Sequence, residues 1–198
     1  MKRLTKGLLL GVALLVPDFA LASSWKIDSD HSSVGFSIRH LMVSNVKGAF
    51  TTFGGTVELD DDKITDSKVS ATIDVASINT NVKKRDDHLR SPDFFDVANY
   101  PEMTFVSKKW KQAPDGKLRI LGDLTMHGVT KEVELDVEPF SAEVRDPWGN
   151  IRRGTSATAR INRKDFGINY NQVLDNGGLT VGNEVDIELE IELIKTGE

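Results

Sequence analysis

The chain has 198 residues with 25 Lys and Arg against 30 Asp and Glu, a formal charge of −5, and is long enough for one domain with a substantial core. That acidic balance argues against nucleic acid as a partner, since phosphate backbones select basic patches, and against docking on anionic membrane surfaces. It contains no cysteine, which excludes disulfides, thiol catalysis and thiolate metal sites.

Lys2, Arg3 and Lys6, the apolar run 8–16 and the small-x-small sequence Ala20-Leu21-Ala22 read as a secretory signal peptide, residues 1–22, cleaved after Ala22. The apolar run is far shorter than the roughly 20 residues of a membrane-spanning helix. The leader has no twin-arginine pair, and no cysteine offers a site for lipid attachment. The expected mature domain, 23–198, is therefore exported, soluble and without stable membrane insertion. In a bacterium with two membranes that means the periplasm. Cleavage takes away three of the basic residues and one acidic residue, which leaves a charge of −7.

No repeat, low-complexity tract or linker divides the remainder, so a single domain is expected. Val34, Phe36 and Ile38 alternate with Gly35, Ser37 and Arg39, the period of a half-buried strand. A second strand is expected over 47–59, with Gly54-Gly55 as its corner. The 60–63 turn leads to 69–75, where Val69, Ala71, Ile73 and Val75 share one face. Strands are further expected over 103–110, 118–126 and 132–144, with turns at 113–116 and 127–130. The hairpin at 147–150 returns as 155–162. A long irregular connection, 163–180, includes Asp175-Asn176-Gly177-Gly178. The last strand, 184–195, is the most regular, with Val185, Ile187, Leu189, Ile191 and Leu193 facing away from Asp186, Glu188, Glu190 and Glu192.

The stretch 79–101 departs from this alternation. It packs Arg85, Asp86, Asp87, His88 and Arg90 into six residues, then sets Phe94 and Phe95 side by side after Ser91-Pro92. Asn79 to Asn81 offer N-caps, and a short helical crossover is expected around 82–96. Two adjacent phenylalanines are costly in water, so at least one should enter the core.

Eight or nine one-sided antiparallel strands on short hairpins point to an all-β fold. A closed up-and-down barrel, which removes both sheet edges, is the first choice and a two-sheet sandwich the second. At about eight strands the interior is either filled by side chains or holds one small ligand. Ala71, Ala157, Ala159, Gly122 and Ala49 are small residues at positions read as inward, which leaves room for a cavity unless Phe36, Phe50, Phe53 and Phe105 fill it.

Several blocks carry a resemblance: Trp25-x-Ile27-Asp28-x-x-His31-Ser32, Arg39-His40, Arg85-Asp86-x-His88-Leu89-x-Ser91-x-Asp93-Phe94-Phe95, Tyr100-Pro101, Gly122-x-Leu124-Thr125-x-His127-Gly128 and Asn162-Arg163-x-Asp165-Phe166-Gly167. In this order the chain resembles the YceI-like family of bacterial proteins. The resemblance implies a single eight-stranded, lipocalin-like barrel whose apolar tunnel holds a polyisoprenoid or isoprenoid-quinone chain. It implies no catalytic residue. The expected tail-binding positions are Phe36, Ile38, Phe53, Ala71, Ile73, Phe94, Phe95, Phe105, Ile120, Leu124, Ala157, Ala159, Ile187 and Leu189. His40, Arg85, Asp86 and His88 are the expected polar groups of the lid or mouth. The partner is then an amphiphilic isoprenoid lipid, with no nucleic acid and no further cofactor, and a homodimer is left open.

Other chemistry finds less support. His31, His40, His88 and His127 lie in different elements and show no metal-ligand spacing, so no metal is expected. Asp30-His31-Ser32 cannot form a triad, because successive strand residues face opposite sides. An ion network of Arg85, Asp86, His88, Arg163 and Asp165 at the barrel end is the alternative to a solvated cluster. The rival functions are an enzyme acting on an isoprenoid or quinone head group at the mouth, with His88 or His40 as acid–base, and a filled barrel working through its surface.

Overall fold

The computed structural model describes residues 22–173 and 178–197. The expected signal peptide, apart from Ala22, and the 174–177 part of the last connection lie outside the described residues. The strands are β1 (Ser23–Ile27), β2 (Ser33–His40), β3 (Ser44–Phe50), β4 (Phe53–Leu59), β5 (Lys68–Asp74) and β6 (Ile78–Asn79), then β7 (Glu102–Gln112), β8 (Leu118–Met126), β9 (Val129–Val137), β10 (Val144–Arg145), β11 (Ile151–Asn162) and β12 (Val181–Lys195). Helix α1 (Lys83–Arg90) separates β6 from β7.

Three pairs of short strands each form one broken barrel strand. β1 pairs with the C-terminal part of β12 through Trp25↔Lys195, and β2 pairs with its middle through Phe36↔Ile187. β4 and β3 follow on the other side, against β1 and β2 respectively, and β5 and β6 come next. Eight barrel strands then run up and down in chain order. β12 closes the ring, because it pairs with β11 along 184–194 and with β1 and β2 on its other edge. Closure satisfies edges that would otherwise template aggregation.

Local chemistry explains where the boundaries differ from the alternation. The strand expected over 47–59 is two strands, and its corner is Thr51-Thr52 instead of Gly54-Gly55. There the backbone turns to accept from Asp74 N at Thr52 O and to donate from Thr51 N to Ser77 O. Gly55 serves a close approach, since a Cβ there would stand 2.4 Å from the carbonyl oxygen of Ser70. The strand expected over 132–144 ends at Val137, just before Pro139, which has no N–H to donate. The turn after β8 takes only His127 and Gly128, both at positive φ, as a tight hairpin of matching twist requires.

The crossover is less helical than expected. α1 stops at Arg90, where Ser91 N donates to His88 O, and turns occupy the residues from there to Asn99. None of Asn79 to Asn81 caps it; Val82 holds that position without a side-chain bond.

Two apolar clusters fill the ends. At one end Trp25, Leu59, Trp110, Leu118, Val137 and Leu193 pack with Phe140. At the other, beneath the crossover, Phe50, Val75, Ile78, Phe94, Met103, Met126 and Phe166 pack together.

Candidate functional site

A cavity of about 450 Å³ lies between the two clusters. Alternation along the strands builds its wall. Val34, Phe36 and Ile38 of β2 line it beside Val185, Ile187 and Leu189 of β12. Every expected tail-binding position except Ala159 lines this cavity. Ala159 packs against the lid-end cluster instead. Ala49 is a second correction: it lies out of phase with Val34, Phe36 and Phe50, which line the wall, so it faces the other side. Gly122 does face inward, but the Phe105 ring covers it, and a Cβ there would stand 2.5 Å from that ring. The aromatic residues thus fill part of the space that the small residues leave, and a cavity remains.

Sequence reading misses several lining residues. Trp110 is one: β7 shifts register between Ser107 and Lys109, so simple alternation from Phe105 points Trp110 outward, whereas it is 3% exposed in the core. Tyr170, in the last long connection, carries no periodic signal at all.

The lid combines an apolar plug with polar straps. Phe94 and Phe95 both line the cavity. Phe95 meets Phe50 edge-on at 5.9 Å, and Phe94 lies 4.8 Å from Tyr170. His88 stands edge-on to both Phe94 and Tyr170 at 5.0 Å, and its Nε2 meets Asp93 Oδ2 at 2.8 Å. The straps converge on the end of β6. Asp86, 7% exposed, accepts from the backbone N–H and hydroxyl of Thr80, and Arg85 donates to the Thr80 hydroxyl and carbonyl. Arg90 donates to the carbonyls of Ala76 and Ile78.

Of the expected mouth groups, His40, Arg85 and His88 line the cavity, whereas Asp86 lies outside the lining and anchors the helix from within. The ion network named as the alternative for Arg85, Asp86, His88, Arg163 and Asp165 does not form among the described residues. Arg163 is 3% exposed and donates from Nε to Gly182 O and from Nη1 to Ile168 O, whereas Asp165 is exposed. The β11 strand ends in a tight turn whose cap is the side chain of Asn162, and this turn carries Arg163 inward and Asp165 out.

The other two histidines belong elsewhere. His127 bonds through Nδ1 to Phe166 O. His31 pairs with Asp28, whose carboxylate raises the imidazole above its ordinary value. Asp28, His31 and Glu192 offer a three-ligand grouping among the described residues. Arg152 already donates to both carboxylates at 2.5 Å, so a cation would have to displace it.

Comparison with known proteins identifies this arrangement. A family model described as the YceI-like domain matches residues 25–193. The chain belongs to the YceI-like family. A UPF0312 protein of Vibrio parahaemolyticus is 39% identical over 188 residues, covering 94% of this chain and 95% of the relative. The crystal structure of BcnA from Burkholderia cenocepacia is similar with a TM-score of 0.73 at 26% identity, over 84% of this chain and 98% of that one. A polyisoprenoid-binding domain from Saccharophagus degradans shares the fold with a TM-score of 0.62 at 16% identity, over 89% and 99% of the two chains. In this YceI-like barrel no described helix is long and apolar enough to cross a membrane.

Proposed function

We propose that this chain is exported and holds a polyisoprenoid or isoprenoid-quinone chain in its barrel cavity, for storage, transport or sequestration. The observation that carries the reading is the cavity of about 450 Å³, with aliphatic and aromatic walls supplied by all eight barrel strands. That volume lies within the roughly 300–1,000 Å³ usual for ligand pockets. The polyisoprenoid-binding domain of Saccharophagus degradans supports the ligand class through its shared fold.

A flexible hydrocarbon suits such a wall. Each buried methylene contributes about 0.8 kcal/mol without any directional requirement. Affinity therefore accumulates along the tail until it exceeds the cost of ordering it. The basic residues, apolar run and Ala20-Leu21-Ala22 of the leader support export.

Native mass spectrometry of protein from a periplasmic fraction, followed by lipid extraction, tests the reading. A co-purifying isoprenoid and a mature chain beginning at Ser23 are expected. A barrel that is consistently empty and takes up no polyprenyl compound overturns the carrier function, and an uncleaved chain in the cytosol overturns export. The His88–Asp93 pair favours a second reading, an enzyme acting on the head group. It predicts turnover that disappears in His88→Ala while ligand binding survives.

A further inference from the structure

Three buried side-chain polar atoms lack a hydrogen-bond partner among the described residues: Trp110 Nε1, Asn183 Oδ1 and Arg163 Nη2. Trp110 and Arg163 both line the cavity, Trp110 within the closed-end cluster and Arg163 where the last long connection begins. Only Arg163 carries a charge. Its Nε and Nη1 are held by the carbonyls of Gly182 and Ile168 at 2.8 and 2.7 Å, which fixes the guanidinium plane and leaves one nitrogen unused.

Burial pushes the Arg163 guanidinium down from its ordinary value, and no carboxylate acts against that. An unpaired buried cation is unfavourable, and native proteins pair such groups almost always. The surroundings do not supply the pair. Arg39, His40, Arg85 and His88 also line the cavity, and among the described residues no Asp or Glu does, in a chain whose net charge is −5. A wall that selects against carboxylates within an acidic protein suits an anionic guest.

We infer that Arg163 is the head-group site of the cavity: its unpartnered Nη2 donates to an anionic oxygen, of a phosphate or carboxylate, on an isoprenoid whose tail extends toward Trp110. This rests on the isoprenoid reading above and adds the chemistry and orientation of the guest. A neutral prenol would accept one hydrogen bond but leave the charge unpaired. A head group at the closed end would use Trp110 instead.

Titration of the mature protein with geranylgeranyl phosphate, geranylgeranic acid and geranylgeraniol holds the tail constant and varies the head. Both acids are expected to bind about ten- to hundredfold more tightly than the alcohol, the factor that one charge-assisted hydrogen bond provides. Between the two acids, the tighter one identifies phosphate or carboxylate as the natural head. In Arg163→Met the preference should vanish, the acids losing far more affinity than the alcohol, and Trp110→Phe should leave the preference intact. If Arg163→Met fails to fold, Arg163→Gln, which keeps a donor but no charge, should show the same loss of preference.

Equal affinity for acids and alcohol in the wild type overturns the head-group site and leaves the isoprenoid reading standing. So does an equal loss of all three ligands in the Arg163 variants, since that is what a purely structural arginine produces. Loss of the preference in Trp110→Phe alone places the head at the closed end and overturns the orientation. No binding of any of the three overturns the carrier function together with this site.

Discussion

The two ends of the barrel are closed by different physics. The closed end is sealed by large apolar side chains that leave nothing to open: Trp25 and Leu193 are fully buried, Leu59 and Leu118 nearly so, and Trp110 stacks on Phe140. Cations cover it from outside, with Arg153 over Trp25 and Phe140 and Lys195 over Trp25. Nearby, Arg152 ties Asp28, Asp146 and Glu192 together. The lid end is spanned by two long connections, held largely by side-chain bonds to backbone groups from Arg85, Asp86, Arg90 and Arg163. Hydrogen bonds contribute only about 1 kcal/mol each net, and they can be exchanged with water. Large apolar groups have no such substitute. The closed end is therefore the foundation of the fold, and the lid end is where a guest would come and go.

Truncation at the closed end should have the largest effect. Trp25→Ala is expected to cost about 3–5 kcal/mol, read from the denaturant midpoint, because it empties a fully buried site in the cluster. A loss below about 1 kcal/mol, no more than one hydrogen bond contributes, would remove the distinction between the ends.

At the lid, Asp86→Ala leaves the Thr80 N–H and hydroxyl without their buried acceptor and should cost about 1–3 kcal/mol. Hydrogen exchange should accelerate over α1 and the turns after it, while the amides of β1 and β12 stay protected. Uniform acceleration across the barrel would show that lid and foundation open as one unit.

The plug sharpens the contrast further. Phe94→Ser should speed ligand release, measured by chase with unlabelled lipid, without a comparable loss from Lys84→Ser, which changes an exposed residue of the same crossover. Arg90→Ser is not a neutral control, because Arg90 bonds the carbonyls of Ala76, in the turn before β6, and Ile78, in β6, and should itself loosen the lid. Equal release from Phe94→Ser and Lys84→Ser would count against a plug.

The smallest effect is expected from pH. Arg152 holds the Asp28 carboxyl below its usual range. Burial pushes Asp146 up, but bonds from Arg152 and Asn150 outweigh it and keep that carboxyl well below the carboxylate range as well. Depressed folded-state values mean stability that is fully present above the unfolded value, near 4, and is lost as pH falls through the folded one. His31 is opposite in sign: raised by Asp28, it adds stability fully present below its unfolded value, about 6.5, and lost as pH rises through its higher folded one. Melting temperature should decline below about pH 4, and Arg152→Met should flatten that decline. An unchanged acid limb in the variant would detach the network from the closed end.

Much of the wall is legible in the sequence. Phe36 and Ile38, Ala71 and Ile73, or Ile187 and Leu189 face the cavity because a strand places alternate residues on one side, and that rule needs no knowledge of the partner strand. The rule fails where the chain departs from it, as at Trp110 beyond the β7 irregularity. It has nothing to say about Tyr170.

The charged residues are the least legible part. Arg85, Asp86 and Arg163 look alike as exposed ions in the sequence, yet Asp86 and Arg163 are buried and Arg85 partly so. Their fate depends on which carbonyls and N–H groups the folded barrel brings beside them.

The sequence by itself determined the all-β class, the inward face of most strands and the position of an aromatic plug, because these follow from local period and the cost of exposing apolar surface. Only the tertiary structure decided that β12 closes the ring, that Asp86 anchors the lid from inside, and that Arg163 is a buried lining residue with one nitrogen lacking a partner among the described residues. Those outcomes depend on pairing between residues far apart in the chain, where register and loop packing, rather than period, select the partner.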